Sequence, residues 1–190
     1  MWTQGGPEVT ARASRTRRDV VAAAIETWAV DPRASLGAVA AAAGVGRTTV
    51  HRYFPDRDAL VRAVDQECRE RFDAAAARAR VHEDRGADAL GRLLRELVGL
   101  GPVLALVFVD DAVVDPEAWE SEDRPDPFEG VVVRGLRDAS IDPTIPASWV
   151  VVQCWAALFG ASLALRLDDS LRHRAADLTV RTLLSGVQAR

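Results

Sequence analysis

The sequence contains no lysine, and all 24 of its basic residues are arginine. It has only two cysteines, Cys68 and Cys154, far apart and without CxxC spacing. That excludes a disulfide scaffold or a zinc finger and suits a reducing, cytoplasmic interior. The opening stretch MWTQGGPEVTARASRTRR has no apolar core of the kind a secretory signal needs. No period-two strand pattern is present. VLALVFV and VVVQCW look strand-like alone, but their neighbours extend both beyond strand length, so both are expected to be buried helices. Catalytic signatures are missing as well. His51, His82 and His173 stand in separate segments without HxxxH or HxxE spacing, and no GxSxG, GxGxxG or P-loop occurs. Asp110 and Asp111 are adjacent, so on a helix their side chains diverge by about 100°. The chain is expected not to be an enzyme and to need no metal or cofactor.

One long run lacks charge. Residues 145–165, IPASWVVVQCWAALFGASLAL, meet the length of a membrane span. Pro146, Ser148, Gln153 and Ser162 interrupt it, and no basic cluster flanks it. A buried core helix is the expectation, with no membrane partner.

What is present is helical texture. The chain has 190 residues, 48% of them hydrophobic, enough for one generous domain or two small ones sharing a core. The pattern predicts an all-α fold of about nine helices: roughly 14–30, 36–43, 47–53, 56–80, 87–100, 102–115, 127–139, 146–166 and 170–188. Val21, Ala24, Ile25 and Trp28 give the first its apolar stripe. An acidic, proline-punctuated loop covers 115–127. Charge is uneven. Between residues 10 and 62, nine arginines face five acids, a local charge of +4, while the remainder carries −8. A basic head on an acidic body suits a nucleic-acid reader.

The segment AAAGVGRTTVHRYFPDRDAL (41–60) sharpens that reading. Ser35 can cap the second helix. Ala40 is small where two helices must cross, Gly44 sits where a left-handed turn residue belongs, and Val45 and Val50 can pin the third helix down. The result is a helix-turn-helix whose second helix can enter a major groove. Its outer face offers Arg47, Thr48, Thr49, His51, Arg52 and Tyr53, and no acid lies between Ala34 and Pro55. Those side chains match base edges and phosphates.

The stretch LGAVAAAAGVGRTTVHRYFPDRDALV (36–61) resembles the DNA-binding signature of the tetracycline-repressor (TetR) family. The likeness covers about a third of the chain, counting the first helix. It implies DNA contacts from Arg47, Thr49, His51 and Tyr53, with Thr48 beside them; Arg52, on the same outer face, is an expected DNA contact too. It also implies phosphate contacts from Ser35 and from Arg57, where the family usually has lysine. Gly46 replaces the usual Ser-like cap, and His51 stands where tyrosine is commonest. Arg12, Arg15, Arg17 and Arg18 form either a basic arm on flanking phosphates or a frayed, solvated terminus.

The same resemblance implies three parts: a disordered N-terminal arm (1–13), a helix-turn-helix domain (14–58) and a helical effector-binding and dimerisation domain (59–190). The expected partners are a palindromic double-stranded operator, a second copy of the chain and a small hydrophobic or cationic effector that relieves repression. Small residues on the uncharged helix, Ala157, Gly160, Ala161 and Ala164, join Leu178, Leu183 and Val187 of the last helix as the expected dimer face. The expected effector pocket draws on Arg95, Phe108, Asp111, Trp119, Arg134, Trp149, Gln153, Trp155 and Phe159. Nine acids lie between Asp110 and Glu129 against one arginine, which suits a cation. The competing reading is a helical protein–protein adaptor with a non-functional helix-turn-helix.

Overall fold

The computed structural model describes residues 7–109, 113, 119 and 125–189. Among these residues the fold is all-α, with no strand. The helices are α1 (Pro7–Val30), α2 (Leu36–Ala42), α3 (Arg47–Tyr53), α4 (Arg57–Arg78), α5 (Gly86–Val98), α6 (Pro102–Val109), α7 (Glu129–Arg137), α8 (Ala147–Leu167) and α9 (Ala175–Val187). A short 3-10 turn, Asp169–Leu171, links the last two.

α1 starts at Pro7, seven residues before the expected Ser14, so the segment expected as a disordered arm is helical from Pro7 onward. Proline suits the first helical position because its missing N–H would have no partner there. Residues 1–6 lie outside the described residues.

Two apolar cores are stacked end to end. The first joins Val21, Ile25 and Trp28 of α1, Val39 and Ala40 of α2, Val50 of α3 and Leu60, Val64 and Cys68 of α4. Val103, Ala105 and Leu106 of α6 close it from the body side. The second joins Phe72, Ala75 and Ala79, near the far end of α4, to the leucines of α5 and to α7, α8 and α9. α4 therefore runs through both cores. The expected boundary between residues 58 and 59 falls inside its first turn and marks no gap in packing.

α5 and α7 cross backbone against backbone. A Cβ on Gly86 would lie 2.2 Å from the Cα of Gly135, so Gly86 has no room for a side chain at the contact; a Cβ on Gly135 would instead press on Ile141, 2.6 Å from its Cδ1. The N-terminus of α5 has no cap from its own Arg85. The chain just after α7 supplies one instead. Gly86 N–H donates to Asp138 Oδ2 at 2.8 Å and Ala87 N–H to Ser140 Oγ at 2.9 Å. Two otherwise orphaned donors are thereby satisfied.

α8 is long and apolar enough, by length and composition, to cross a membrane. It packs against α5, α6, α7 and α9. It is not the wholly buried helix expected. Val150, Cys154, Leu158, Ala161 and Ser162 face inward, while Trp149 is 58% exposed, Val152 57% and Phe159 47%. Its composition is apolar on every side, so periodicity marks no outer face.

Candidate nucleic-acid interface and body cavity

The turn between α2 and α3 follows from its residues. Ser35 caps α2, its Oγ accepting from Ala38 N–H at 3.2 Å. Gly44 adopts φ +65°, a conformation that costs glycine little. It lets Val45 N–H reach Ala40 O at 3.0 Å and Gly44 N–H reach Ala41 O at 3.1 Å, a Schellman closure of α2. Gly46 is the N-cap of α3 and supplies no side-chain hydrogen bond. Val50 and Phe54 are buried and fix α3 on the rest of the head.

That anchoring decides which side chains are presented. Arg47, Thr48, His51 and Arg52 are exposed, and Thr49 and Tyr53 are half-buried. The Arg47 guanidinium lies along α2 at Gly37, where an added Cβ would come within 2.8 Å of its Nε. Arg52 folds over Tyr53, its guanidinium carbon 5.0 Å from the ring centroid. His51 Nδ1 is 3.4 Å from the carbonyl of Pro55. Ser35 is exposed at the start of α2.

Arg57 differs from the expectation. Its guanidinium is turned away from the outer face and binds the backbone carbonyls of Ala34, at 2.8 Å, and Pro32. It also stacks over Trp28, 4.5 Å from the ring centroid.

In the body, the expected pocket residues divide. Phe108, Trp119, Trp155 and Phe159 do come together, with Phe72 and Phe128. Trp155 sits at the centre, 5.3 Å from Phe128, 6.0 Å from Phe72 and 6.2 Å from Phe108, ring centroid to centroid. Phe159 touches Phe108, and Trp119 packs edge-on against Phe72. Two carboxylates hold the indoles. Asp126 accepts from Trp155 Nε1 at 2.8 Å, and the buried Asp65 accepts from Trp119 Nε1 at 2.9 Å. Asp65 also pairs with Arg69 at 2.8 Å. Beside this cluster lies a cavity of about 480 Å³, lined by Phe72, Asp73, His82, Asp126 and Arg134 among others. Arg134 Nε is buried there without a partner, although its Nη2 donates to Glu83 O at 3.2 Å.

The other expected pocket residues lie elsewhere. Arg95 is on the outer surface, paired with Asp177 at 3.1 Å. Trp149 and Gln153 line the groove between α8 and α9. Asp111, with Asp110, lies outside the described residues. Asp65, Phe72, Asp126 and Phe128 were not among the expected pocket residues. Asp126 carried one sequence signal: an acid just before Pro-Phe can cap the next helix, and its Oδ1 accepts from Phe128 N–H at 2.7 Å. Both thiols are buried, and burial pushes Cys68 and Cys154 each up to about 12, so neither is a nucleophile at neutral pH.

The α8–α9 groove, about 560 Å³, gathers Ala157, Gly160, Ala161, Ala164, Leu178, Leu183 and Val187, all seven expected dimer-face residues. Ala161, Leu183 and Val187 are buried within the single chain and form its floor.

A small three-helix reading head, joined through one long helix to a larger helical body with a cavity beside its aromatic cluster, is the build of a helix-turn-helix transcription regulator. Residues 20–64 match the model of the bacterial regulatory proteins of the tetR family. The chain is 36% identical over 175 residues to the HTH-type transcriptional repressor LfrR of Mycolicibacterium smegmatis, covering 91% of this chain and 90% of that protein. It superposes on the crystal structure of LfrR in complex with proflavine with a TM-score of 0.70 at 34% identity, covering 93% of this chain and 99% of that one. A TetR family regulator from Marinobacter aquaeolei shares the fold, with a TM-score of 0.68 at 17% identity over 95% of this chain and all of that one. The chain belongs to the TetR family.

Proposed function

We propose that this regulator is a repressor that binds a palindromic operator in the cytoplasm as a homodimer and is released by a small hydrophobic cation. In this reading residues 14–58 read DNA, and residues 59–190 bind the effector and pair with a second copy. Arg47, Thr48, Thr49, His51, Arg52 and Tyr53 contact bases and phosphates, and Ser35 holds a phosphate. Two α3 helices then address half-sites about 34–36 Å apart. The carrying observation is the acid-free segment 34–55 with its outward-facing donors on α3. A helical adaptor gains nothing from excluding acids there.

The relative LfrR carries the name of a repressor, and its structure with proflavine supports the effector class. The aromatic cluster around Trp155, with Asp126 and Asp73 on the adjoining cavity, suits a flat cation: ring faces attract positive charge and carboxylates balance it. α4 carries the response from the body to the head. A ligand that moves the dimer from almost wholly DNA-competent to almost wholly released must prefer the released shape by about 10⁴-fold.

Duplex binding against salt tests the reading. A plot of log affinity against log salt should fall with a slope of about −0.9 per phosphate neutralised. Thr49→Ala and His51→Ala should each weaken operator binding by about tenfold, with the dimer intact. Salt-independent or absent duplex binding favours the adaptor, and normal binding by both variants overturns the assignment of α3.

A further inference from the structure

Arg57 is the first residue of α4. Its two terminal nitrogens bind consecutive carbonyl-bearing turns of the α1–α2 loop, at Ala34 and Pro32. Its flat face covers Trp28, which is itself fully buried. Trp28 Nε1 donates to the same Ala34 carbonyl at 3.1 Å. One carbonyl thus receives donors from α1 and α4, and the next residue is Ser35, the cap that starts α2. To meet a phosphate, Arg57 would have to abandon two charge-assisted hydrogen bonds and its stacking on the indole, all of which the free head already satisfies.

We infer that Arg57 is a positioning residue that ties the first turn of α4 to the start of α2, so that the helix-turn-helix follows α4 as a unit. The inference rests on the DNA-binding function proposed above. α4 enters both cores, with Leu60, Val64 and Cys68 in the head and Phe72, Ala75 and Ala79 in the body; α6 also touches both, through Leu104 in the body and Val103 and Leu106 in the head, but α4 alone of the two is continuous with the helix-turn-helix in sequence. A tilt of α4 imposed from the body therefore reaches Ser35 and α3 through the Arg57 fork. Only a planar guanidinium can serve two divergent carbonyls and an indole face together. A lysine ammonium is a point donor and cannot.

The test compares wild type, Arg57→Lys, Arg57→Gln and Trp28→Phe on a duplex that wild type selects from a random-sequence pool. Each protein is assayed well below its own melting temperature, so that every variant is folded. Both Arg57 variants should lose affinity by about tenfold, lysine rescuing nothing, with the salt slope unchanged. Trp28→Phe keeps a ring under Arg57 but deletes the donor to Ala34, and should shift affinity the same way by a smaller factor, again without changing the slope. Full affinity in Arg57→Lys overturns the inference. So does a slope shallower by about 1.8 in Arg57→Gln, which would mean that Arg57 of each protomer had been neutralising one phosphate. A wild-type protein that selects no duplex removes the proposed function and this inference together.

Discussion

Asp138 joins two stretches of chain more than fifty residues apart, and its ionised form strengthens the join. The Ser140 side chain, the Gly86 N–H, the Ser140 N–H and the charge of Arg85 hold its carboxyl below the ordinary value of 3.8. A carboxylate with a depressed native pKa contributes stability above its unfolded pKa and loses it as pH falls through the native one. Wild type should therefore be more stable than Asp138→Asn at neutral pH, and the gap should close as pH drops below 3.8. Denaturant midpoints of the two proteins, measured from pH 7 to about pH 2, check this. Asp142 and Asp168 are lowered by local turns within their own segments, beginning with hydrogen bonds to Thr144 and Ser170. Neither joins distant parts, so Asp138 is the carboxylate of the three whose loss should loosen the packing of α5 on α7.

At the scale of elements, α8 presents an apolar side that a single chain leaves uncovered. Gly160 stands on it, and a Cβ there would meet nothing within 4 Å. Gly160→Leu should leave the melting temperature of the single subunit unchanged or higher, because leucine is the better helix former by about 0.8 kcal/mol. If the groove between α8 and α9 seats a second copy, the same substitution should convert dimer to monomer in sedimentation and lower operator affinity by at least about tenfold, since a lone α3 reads one half-site. An unchanged dimer would place the subunit interface elsewhere. Elements differ in how plainly the sequence announces them. α2, α3 and the start of α4 are legible because Ser35, Gly44 and Asp56 are each required by a specific cap or turn, and the structure uses all three so. The inner and outer faces of α8 are not, since its composition is apolar all round. Trp149 and Gln153 consequently look like pocket residues in the sequence, yet they line the outer groove. Arg57 misleads for a related reason. A guanidinium on two carbonyls and one on a phosphate have the same local sequence, and only the loop brought back from Pro32 distinguishes them. The aromatic cluster is half legible: the rings are evident, but the partners Asp65 and Asp126 come from positions that only the tertiary fold brings near Trp119 and Trp155.

At the scale of the whole molecule, α4 connects the helix-turn-helix head to a body that holds a cavity beside an aromatic cluster. Trp155 stands beside the cavity, stacked on Phe72 and bonded to Asp126 of its lining. Proflavine, the ligand of the relative's crystal structure, should quench this tryptophan emission, and an uncharged analogue of the same shape should bind about tenfold more weakly by the same signal. Equal quenching by both would make shape rather than charge the selector. The same addition should weaken duplex binding, because a ligand that alters one equilibrium must be altered by it in turn.

The seating of Val103 and Leu106 against the head has a practical corollary for anyone who wishes to rewire such a regulator. A reading head transplanted onto a foreign body would arrive with a bare apolar flank where those two side chains once lay. A working hybrid must therefore splice within the long shared helix and import the matching edge of α6 as well, so that the head is inherited together with a strip of its body.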